Sequence, residues 1–170
     1  AAPMRDWQAW QAHPQGLAVN AEELVQRQTF ATTTDKPWLG SVARPLACLK
    51  VLDLTRVLAG PVASRFLAGL GADVLRIDSP TWDEPGVVPE MTLGKRCARL
   101  ALKNADDRQL FERLLKDTDI LLHGYRAHAL EQLGYGEAAL QTPAPGLLAP
   151  TLYPYSWRGP SRHRRGLDSL

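Results

Sequence analysis

The chain has 170 residues, of which 45% are hydrophobic, and a formal net charge of +2 at pH 7. This length suggests one domain, or one domain with an arm. The small charge gives no argument for nucleic acid or anionic membrane, and no apolar run approaches the roughly 20 residues that span a bilayer. The start, AAPMRDWQAW, has no apolar signal-peptide stretch. We therefore expect a cytoplasmic protein that binds neither membranes nor nucleic acids.

Cysteine and histidine spacing argues against several kinds of site. Cys48 and Cys97 fit neither a metal spacing nor a disulfide framework. Because free cysteine behaves as a small hydrophobic residue, we expect two buried thiols in a reducing cytoplasm. The four histidines show no H-x-x-x-H or H-E-x-x-H spacing. No G-x-S-x-G or Cys/His arrangement supports hydrolysis, so the sequence predicts no metal and no hydrolase site.

We expect residues 1–44 to form a mostly helical N-terminal arm with a linker. MRDWQAWQ predicts a short helix with Trp7 and Trp10 on one face, which HPQG ends. Asn20 and Glu23 have the spacing of a capping box, which predicts a second helix over AEELVQRQ. TTTDKPWLGSVARPL follows as the linker. The arm is rich in tryptophan but has no core of its own, so it needs another surface of the protein to cover.

Residues 45–170 alternate strand-like and helix-like segments, which predicts an α/β fold. LKVLDLT, ADVLRID, RCARLAL and TDILLH are the predicted strands. VASRFLAGL, DDRQLFERLLKD (capped by Asn104 or Asp106), AHALEQLG and GEAALQ are the predicted helices. GLLAPTLYPY should be a fifth strand, but Pro150 and Pro154 make it an edge, a broken strand or no strand. The alternation predicts a Rossmann-like parallel sheet with flanking helices and right-handed crossovers.

The first strand–turn–helix unit is the best candidate for a ligand site. Ligands of open parallel sheets bind outside the carboxyl ends of the strands, where RVLAGP lies. The N–H groups that begin the next helix can face an anion, and Arg56 adds a positive charge. Arg56 could equally be a solvated loop arginine. Asp78 ends the second strand and could bind a ribose, cap a turn, or pair with Arg76 or Lys95.

The glycine fingerprint of dinucleotide sites is missing from this turn. G-x-G-x-x-G would require glycine at two positions that Val62 and Arg65 occupy. A pyrophosphate cannot then approach the backbone as it does in dehydrogenases. The sequence therefore disfavours an NAD(P)-linked oxidoreductase.

Four segments together resemble one family. VLDLTRVLAGPVASRFLAGLGADVLRID resembles the opening of the class III CoA-transferases, the CaiB/BaiF family. GKRCARLALK, LLKDTDILLHGYRAHALEQLGYG and YSWRGPSRHRRGLD resemble later motifs of that family, in the same order. The resemblance covers roughly residues 46–170 and implies the incomplete large domain of an enzyme that moves CoA between carboxylic acids. It also implies acyl-CoA and a carboxylic acid as partners, no tightly bound cofactor, and an interlocked homodimer.

The resemblance implies a set of CoA-binding residues. They are Arg56, Val57, Leu58 and Ala59 after the first strand, Lys95 and Arg96 for the phosphates, and Tyr125, Arg126 and Tyr155. Arg and Lys make strong charge-assisted bonds to phosphate. An aromatic ring such as Tyr125 could pack on the adenine or on the pantetheine arm.

The resemblance assigns no catalytic residue. In the family an Asp carboxylate attacks the acyl-CoA thioester, and this nucleophile lies downstream of the motif that Asp168 matches. Gly124 and Ala101 replace a family Asn and Asp. Two further hypotheses stay open: an inactive, truncated CoA-transferase-like binding module, and the disfavoured oxidoreductase domain.

Overall fold

The computed structural model describes residues 3–30, 37, 39–126, 128–164 and 166; Trp38 and Asp168 lie outside these ranges. The helices are α1 (Trp7–Ala12), α2 (Pro14–Asn20), α3 (Ala59–Gly69), α4 (Val88–Met91), α5 (Ala105–Lys116), α6 (Ala129–Gln132) and α7 (Glu137–Leu140). The strands are β1 (Lys50–Leu54), β2 (Asp73–Asp78), β3 (Arg96–Arg99) and β4 (Ile120–His123). None of the helices within the described ranges has the length and apolar character that crossing a membrane requires.

The four strands form one parallel sheet in the order β3-β2-β1-β4. This confirms the predicted α/β fold, a parallel sheet with flanking helices. The predicted fifth strand is reduced to two isolated parallel bridges, Ile120 to Leu148 and His123 to Thr151. Pro150 lies between the bridges and has no N–H to donate, so the ladder is broken at the edge of the sheet.

The two faces of the sheet carry different chemistry because successive residues of a strand point to opposite sides. Leu52 and Leu54 of β1 pack in the main core with Phe111 and Leu115 of α5, both of which are fully buried. On the other face, Val51 packs with α3 in a smaller cluster. The next residue on that face is a buried acid, Asp53, which makes this face partly polar.

Local sequence sets the ends of the two long helices. Asn104 caps α5, since its side-chain oxygen accepts hydrogen bonds from the N–H groups of Asp106 and Asp107. Asp106 is therefore not the cap. Gly71 follows α3 with φ of 104°, a left-handed conformation that favours glycine.

The arm differs from its prediction in one helix. MRDWQAWQ contains all of α1 except its last residue, but the residues that follow Asn20 form no helix over AEELVQRQ. Instead HPQG begins α2, with Pro14 at the first helical turn, where its missing N–H costs nothing. Glu22 is turned inward to Ser156 and Arg158, a long-range contact that replaces the local helix.

The prediction of two buried thiols is wrong, because Cys48 and Cys97 are both exposed. Cys48 lies in a turn with φ of 77°. Cys97 lies in β3, a short edge strand in which no residue is fully buried. Neither environment supplies the apolar packing that the composition suggested.

Candidate functional site

Arg56 lies two residues after the end of β1, at the carboxyl edge of the sheet, and is half-buried. Its guanidinium carbon lies 4.5 Å from the centroid of the Trp82 ring, a cation–π contact that holds the charge in place. Within the described part of the chain, no carboxylate forms an ion pair with this guanidinium. The charge is therefore fixed by an aromatic ring and left available to an anion.

The N-terminus of α3 lies beside Arg56 and is uncapped. Leu58 is the N-cap and makes no side-chain hydrogen bond, so the first helical N–H groups can face a ligand anion. Gly60 lets the turn close, because a Cβ there would lie 2.3 Å from the Cβ of Thr55. Val57 has φ of 68°, an unusual value for a β-branched residue. Its N–H donates to Glu84 at 2.9 Å.

Tyr125 lies in the loop after β4 and completes what we call the Arg56 corner (Arg56, Trp82 and Tyr125). Burial raises the pKa of Tyr125, and the nearby charge of Arg56 partly offsets that rise. The ring of Tyr125 lies 6.2 Å from that of His123. Burial also lowers the pKa of His123 to about 4. The corner thus combines one cation with neutral, partly buried rings.

A buried polar cluster lies behind the turn. Asp53 and Lys95 have no exposed side-chain surface and form a salt bridge of 2.9 Å. Lys95 Nζ also donates to Ser64 Oγ at 2.7 Å and to the carbonyl of Pro61 at 2.9 Å. Thr55 donates to Asp53 through its N–H at 2.9 Å. Burial lowers the pKa of Lys95, and Asp53 opposes that shift. The cluster ties β1, the turn and α3 together.

A second ionic cluster occupies the end of β2. Arg76 is almost fully buried and donates to Asp78 at 2.7 and 3.1 Å and to Glu84 at 2.9 Å. Burial would lower the pKa of Arg76, but the two carboxylates outweigh it and raise the pKa above its ordinary value. Asp78 thus has the pairing with Arg76 that the sequence left open. An adjacent groove of about 280 Å³ is lined by three carboxylates, including Asp83, and by Arg76 and Arg99.

The structure does not bring all nine predicted residues together. Lys95 Nζ donates its three protons to Asp53, Ser64 and the carbonyl of Pro61. Arg96 points the other way, with two bonds of 2.8 Å to Asp73, the first residue of β2. No contact in the structure supports a phosphate role for either residue, and that role stays a prediction.

Two other predicted residues lie in loops beyond the strand ends. Arg126 is exposed in the loop after β4. Tyr155 is partly buried beyond the bridging segment, and its carbonyl accepts a hydrogen bond from Gln15. Their roles as CoA contacts also stay predictions.

Sequence reasoning missed Asp53, Ser64, Trp82 and Glu84. Asp53 carried a signal, since an acid inside the apolar strand LKVLDLT must find a buried partner. Lys95 is that partner, from 42 positions further along the chain. Trp82 and Glu84 carried no local signal, because their partners are brought near only by the fold.

An open parallel sheet with a cation and an uncapped helix at its carboxyl edge is the architecture of α/β proteins that bind ligands at that edge. The family model described as CoA-transferase family III matches residues 46–170, and the chain belongs to that family. A crystal structure of the hypothetical protein Rv3272 from Mycobacterium tuberculosis superposes with a TM-score of 0.67 at 30% identity, covering 74% of this chain. A CAIB/BAIF family protein from Brucella suis gives 0.65 at 29% identity over 75% of this chain.

Curated relatives have a similar level of sequence identity to this chain and are much longer than it. The acetyl-coenzyme A transferase nodX of Hypoxylon pulicicidum is 36% identical over 76% of this chain. The alpha subunit of succinyl-CoA–L-malate CoA-transferase from Chloroflexus aurantiacus is 30% identical over 79% of this chain. The chain spans 23% and 35% of these two relatives and 37% of the Mycobacterium tuberculosis structure.

Proposed function

We propose that this chain supplies the CoA-binding part of an acyl-CoA:carboxylate CoA-transferase. The phosphorylated end of CoA binds at the Arg56 corner and at the uncapped start of α3, where residues Val57, Leu58 and Ala59 form the turn. Tyr125, Arg126 and Tyr155 contact the rest of the ligand from neighbouring loops. CoA is a substrate in this proposal and not a tightly bound cofactor.

The proposal depends mainly on one observation, that the charge of Arg56 has no carboxylate partner among the described residues. Its guanidinium is held 4.5 Å from the Trp82 ring centroid and is not neutralised by a carboxylate among the described residues. Arg76, by contrast, is ion-paired with both Asp78 and Glu84. A phosphate therefore meets an unpaired cation at the Arg56 corner, whereas the two arginines that line the neighbouring groove, Arg76 and Arg99, are already paired with carboxylates.

The carboxylates of the site are poor nucleophiles as they stand. Asp53 accepts hydrogen bonds from Thr55, Ser64 and Lys95, and Glu84 bridges Arg76 and Val57. A carboxylate held in such bonds has little electron density left for attack on a thioester. We propose that the nucleophilic Asp is supplied by the rest of the transferase or by a second subunit, in an interlocked homodimer located in the cytoplasm.

The state of Asp78 argues against a dinucleotide. In a dinucleotide fold the acid at the end of the second strand accepts from the ribose hydroxyls. Here both oxygens of Asp78 accept from Arg76. The missing glycines and this occupied carboxylate both argue against dinucleotide binding.

A thermal-shift experiment on the full chain tests the proposal. CoA at about 100 times its Kd should stabilise the folded state by about 2.7 kcal/mol. Adenosine 3′,5′-bisphosphate should also raise the melting temperature, whereas pantetheine, which lacks the phosphates, should act weakly. The chain alone should not exchange CoA between an acyl-CoA and an acceptor acid. A shift with NADH but not with CoA would contradict the proposal.

A further inference from the structure

A buried amide of the N-terminal arm binds a loop that lies far along the chain. Gln15, in α2, has no exposed surface. Its Nε2 donates to the carbonyls of Tyr155 at 2.5 Å and Arg158 at 2.8 Å, and its Oε1 accepts from the N–H of Ser161 at 2.6 Å. One side chain therefore satisfies three backbone groups of the segment 155–161, which we call the 155–161 loop.

A second side chain of the arm anchors the same loop. Glu22 follows α2 and accepts a hydrogen bond from the hydroxyl of Ser156. Its other carboxylate oxygen lies 3.5 Å from Nε of Arg158, and the Glu22 side chain is only 6% exposed. Ser156 has φ of 68°, a left-handed conformation that a non-glycine residue keeps only when its surroundings hold it.

The loop is shaped around Gln15. A Cβ on Gly159 would lie 2.5 Å from Gln15 Oε1, and Gly159 has φ of 85°. The loop carbonyls turn inward to the amide, and buried carbonyls that lose their donor are costly. The conformation of the loop thus depends on the arm.

The loop also carries one residue of the proposed site. Tyr155 lies three residues beyond Leu152, whose N–H donates to the carbonyl of His123 at the carboxyl end of β4. The loop therefore begins close to the carboxyl end of β4, at the edge of the sheet where the proposed site lies. Gln15 and Glu22 precede residue 46, where the family match begins, so the arm supplies contacts that this match does not contain.

We propose that the arm is a clamp that holds the 155–161 loop in the conformation that binds ligand, with Gln15 as the positioning residue. The inference rests on the proposed function, because it assigns the ligand of the loop as CoA. Gln15 touches no ligand and acts through Tyr155. Releasing the clamp loosens the loop and weakens CoA binding without removing a ligand contact.

The experiment compares Gln15→Glu with Gln11→Glu in the full chain. Gln15→Glu keeps the size of the side chain and the acceptor for Ser161 but sets a carboxylate oxygen against the two loop carbonyls. Gln11→Glu makes the same change on an exposed residue of α1. Glu22→Gln, which preserves shape and removes a charge, is the milder variant should Gln15→Glu fail to fold.

Two quantities are measured well below each melting temperature: amide hydrogen exchange of the 155–161 loop without ligand, and CoA affinity by calorimetry. We expect Gln15→Glu to speed exchange at the Ser161 amide about tenfold and to raise the Kd of CoA about tenfold, a loss of about 1.4 kcal/mol. Glu22→Gln should change both in the same direction by less, and Gln11→Glu should change neither.

The two readouts separate the ways in which the inference can fail. Unchanged exchange in Gln15→Glu would overturn the clamp. Faster exchange and a lower melting temperature with unchanged CoA affinity would show a structural contact only and overturn the positioning role. Failure of the unmodified chain to bind CoA would instead contradict the proposed function, and the assignment of the loop's ligand with it, whatever the exchange rates show.

Discussion

Lowering the pH from 7 to 4 should destabilise the fold through His123. This residue ends β4 and is 8% exposed. Its Nε2 lies 3.0 Å from the hydroxyl of Thr151, and its Nδ1 is buried without a hydrogen-bond partner among the described residues. Protonation would place a charge in this apolar environment, and burial accordingly lowers the pKa of His123 from 6.5 to about 4.

Proton linkage gives the sign and the size of this change in the free energy of unfolding. Between pH 6.5 and pH 4 the unfolded chain binds a proton at this histidine and the folded chain does not, so the free energy of unfolding falls as the pH falls. One pKa unit corresponds to about 1.4 kcal/mol. The shift of His123 from 6.5 to about 4 thus accounts for a loss of roughly 3 kcal/mol.

Urea denaturation at several pH values between 4 and 7 measures this loss. Carboxylates titrate over the same range, so the informative quantity is the difference between the unmodified chain and His123→Gln. That variant should lose the His123 share of the pH dependence, whereas His163→Gln, at an exposed position, should keep it. Equal pH dependence in all three proteins would refute the burial argument.

Two further substitutions test the packing behind the turn. Gly60→Ala should cost about 1–3 kcal/mol of unfolding free energy, because the new Cβ would lie 2.3 Å from the Cβ of Thr55. Lys95→Met should cost about 3–5 kcal/mol, because it leaves Asp53 buried without its ion pair. Urea denaturation at pH 7 measures both losses.

Matched controls make these losses specific. Gly69→Ala lies in the same helix with nothing within 4 Å of the new Cβ, and it should gain roughly 0.5 kcal/mol from reduced backbone freedom. Lys103→Met removes an exposed lysine and should change stability little. A Gly60→Ala chain as stable as Gly69→Ala, or equal effects of the two lysine variants, would contradict the structure.

The strands and long helices were predictable because their signals are local. LKVLDLT and ADVLRID are short apolar runs bounded by turn residues, and they contain β1 and β2. Helix α3, which has Pro61 in its first turn, and the helix capped by Asn104 carry start signals within one turn of their ends. Pro150 likewise predicted that the fifth strand would be an edge, broken or absent, and the structure shows it broken.

The arm was harder to predict because a distant contact outweighs its local pattern. Asn20 and Glu23 have the spacing of a capping box, yet the chain uses Glu22 to reach Ser156 and Arg158. No local rule connects positions that lie 134 residues apart. The arm's need for a surface was visible in its composition, whereas the surface itself was not.

The site was predictable in part. Arg56 could be placed at the carboxyl edge of the sheet from the order of elements alone. Lys95 and Arg96 could not be resolved in this way, because adjacent residues of a strand region point to opposite sides. The structure turns Lys95 to Asp53 and Arg96 to Asp73.

Calorimetric titration of CoA into Arg56→Ala measures directly whether the Arg56 corner binds CoA. Arg113→Ala, which removes an exposed arginine of α5, is the control. We expect Arg56→Ala to weaken CoA binding by about 1–3 kcal/mol, the range of a charge-assisted bond to phosphate, and Arg113→Ala to bind CoA as the unmodified chain does. Unchanged affinity in Arg56→Ala would remove the Arg56 corner from the CoA site.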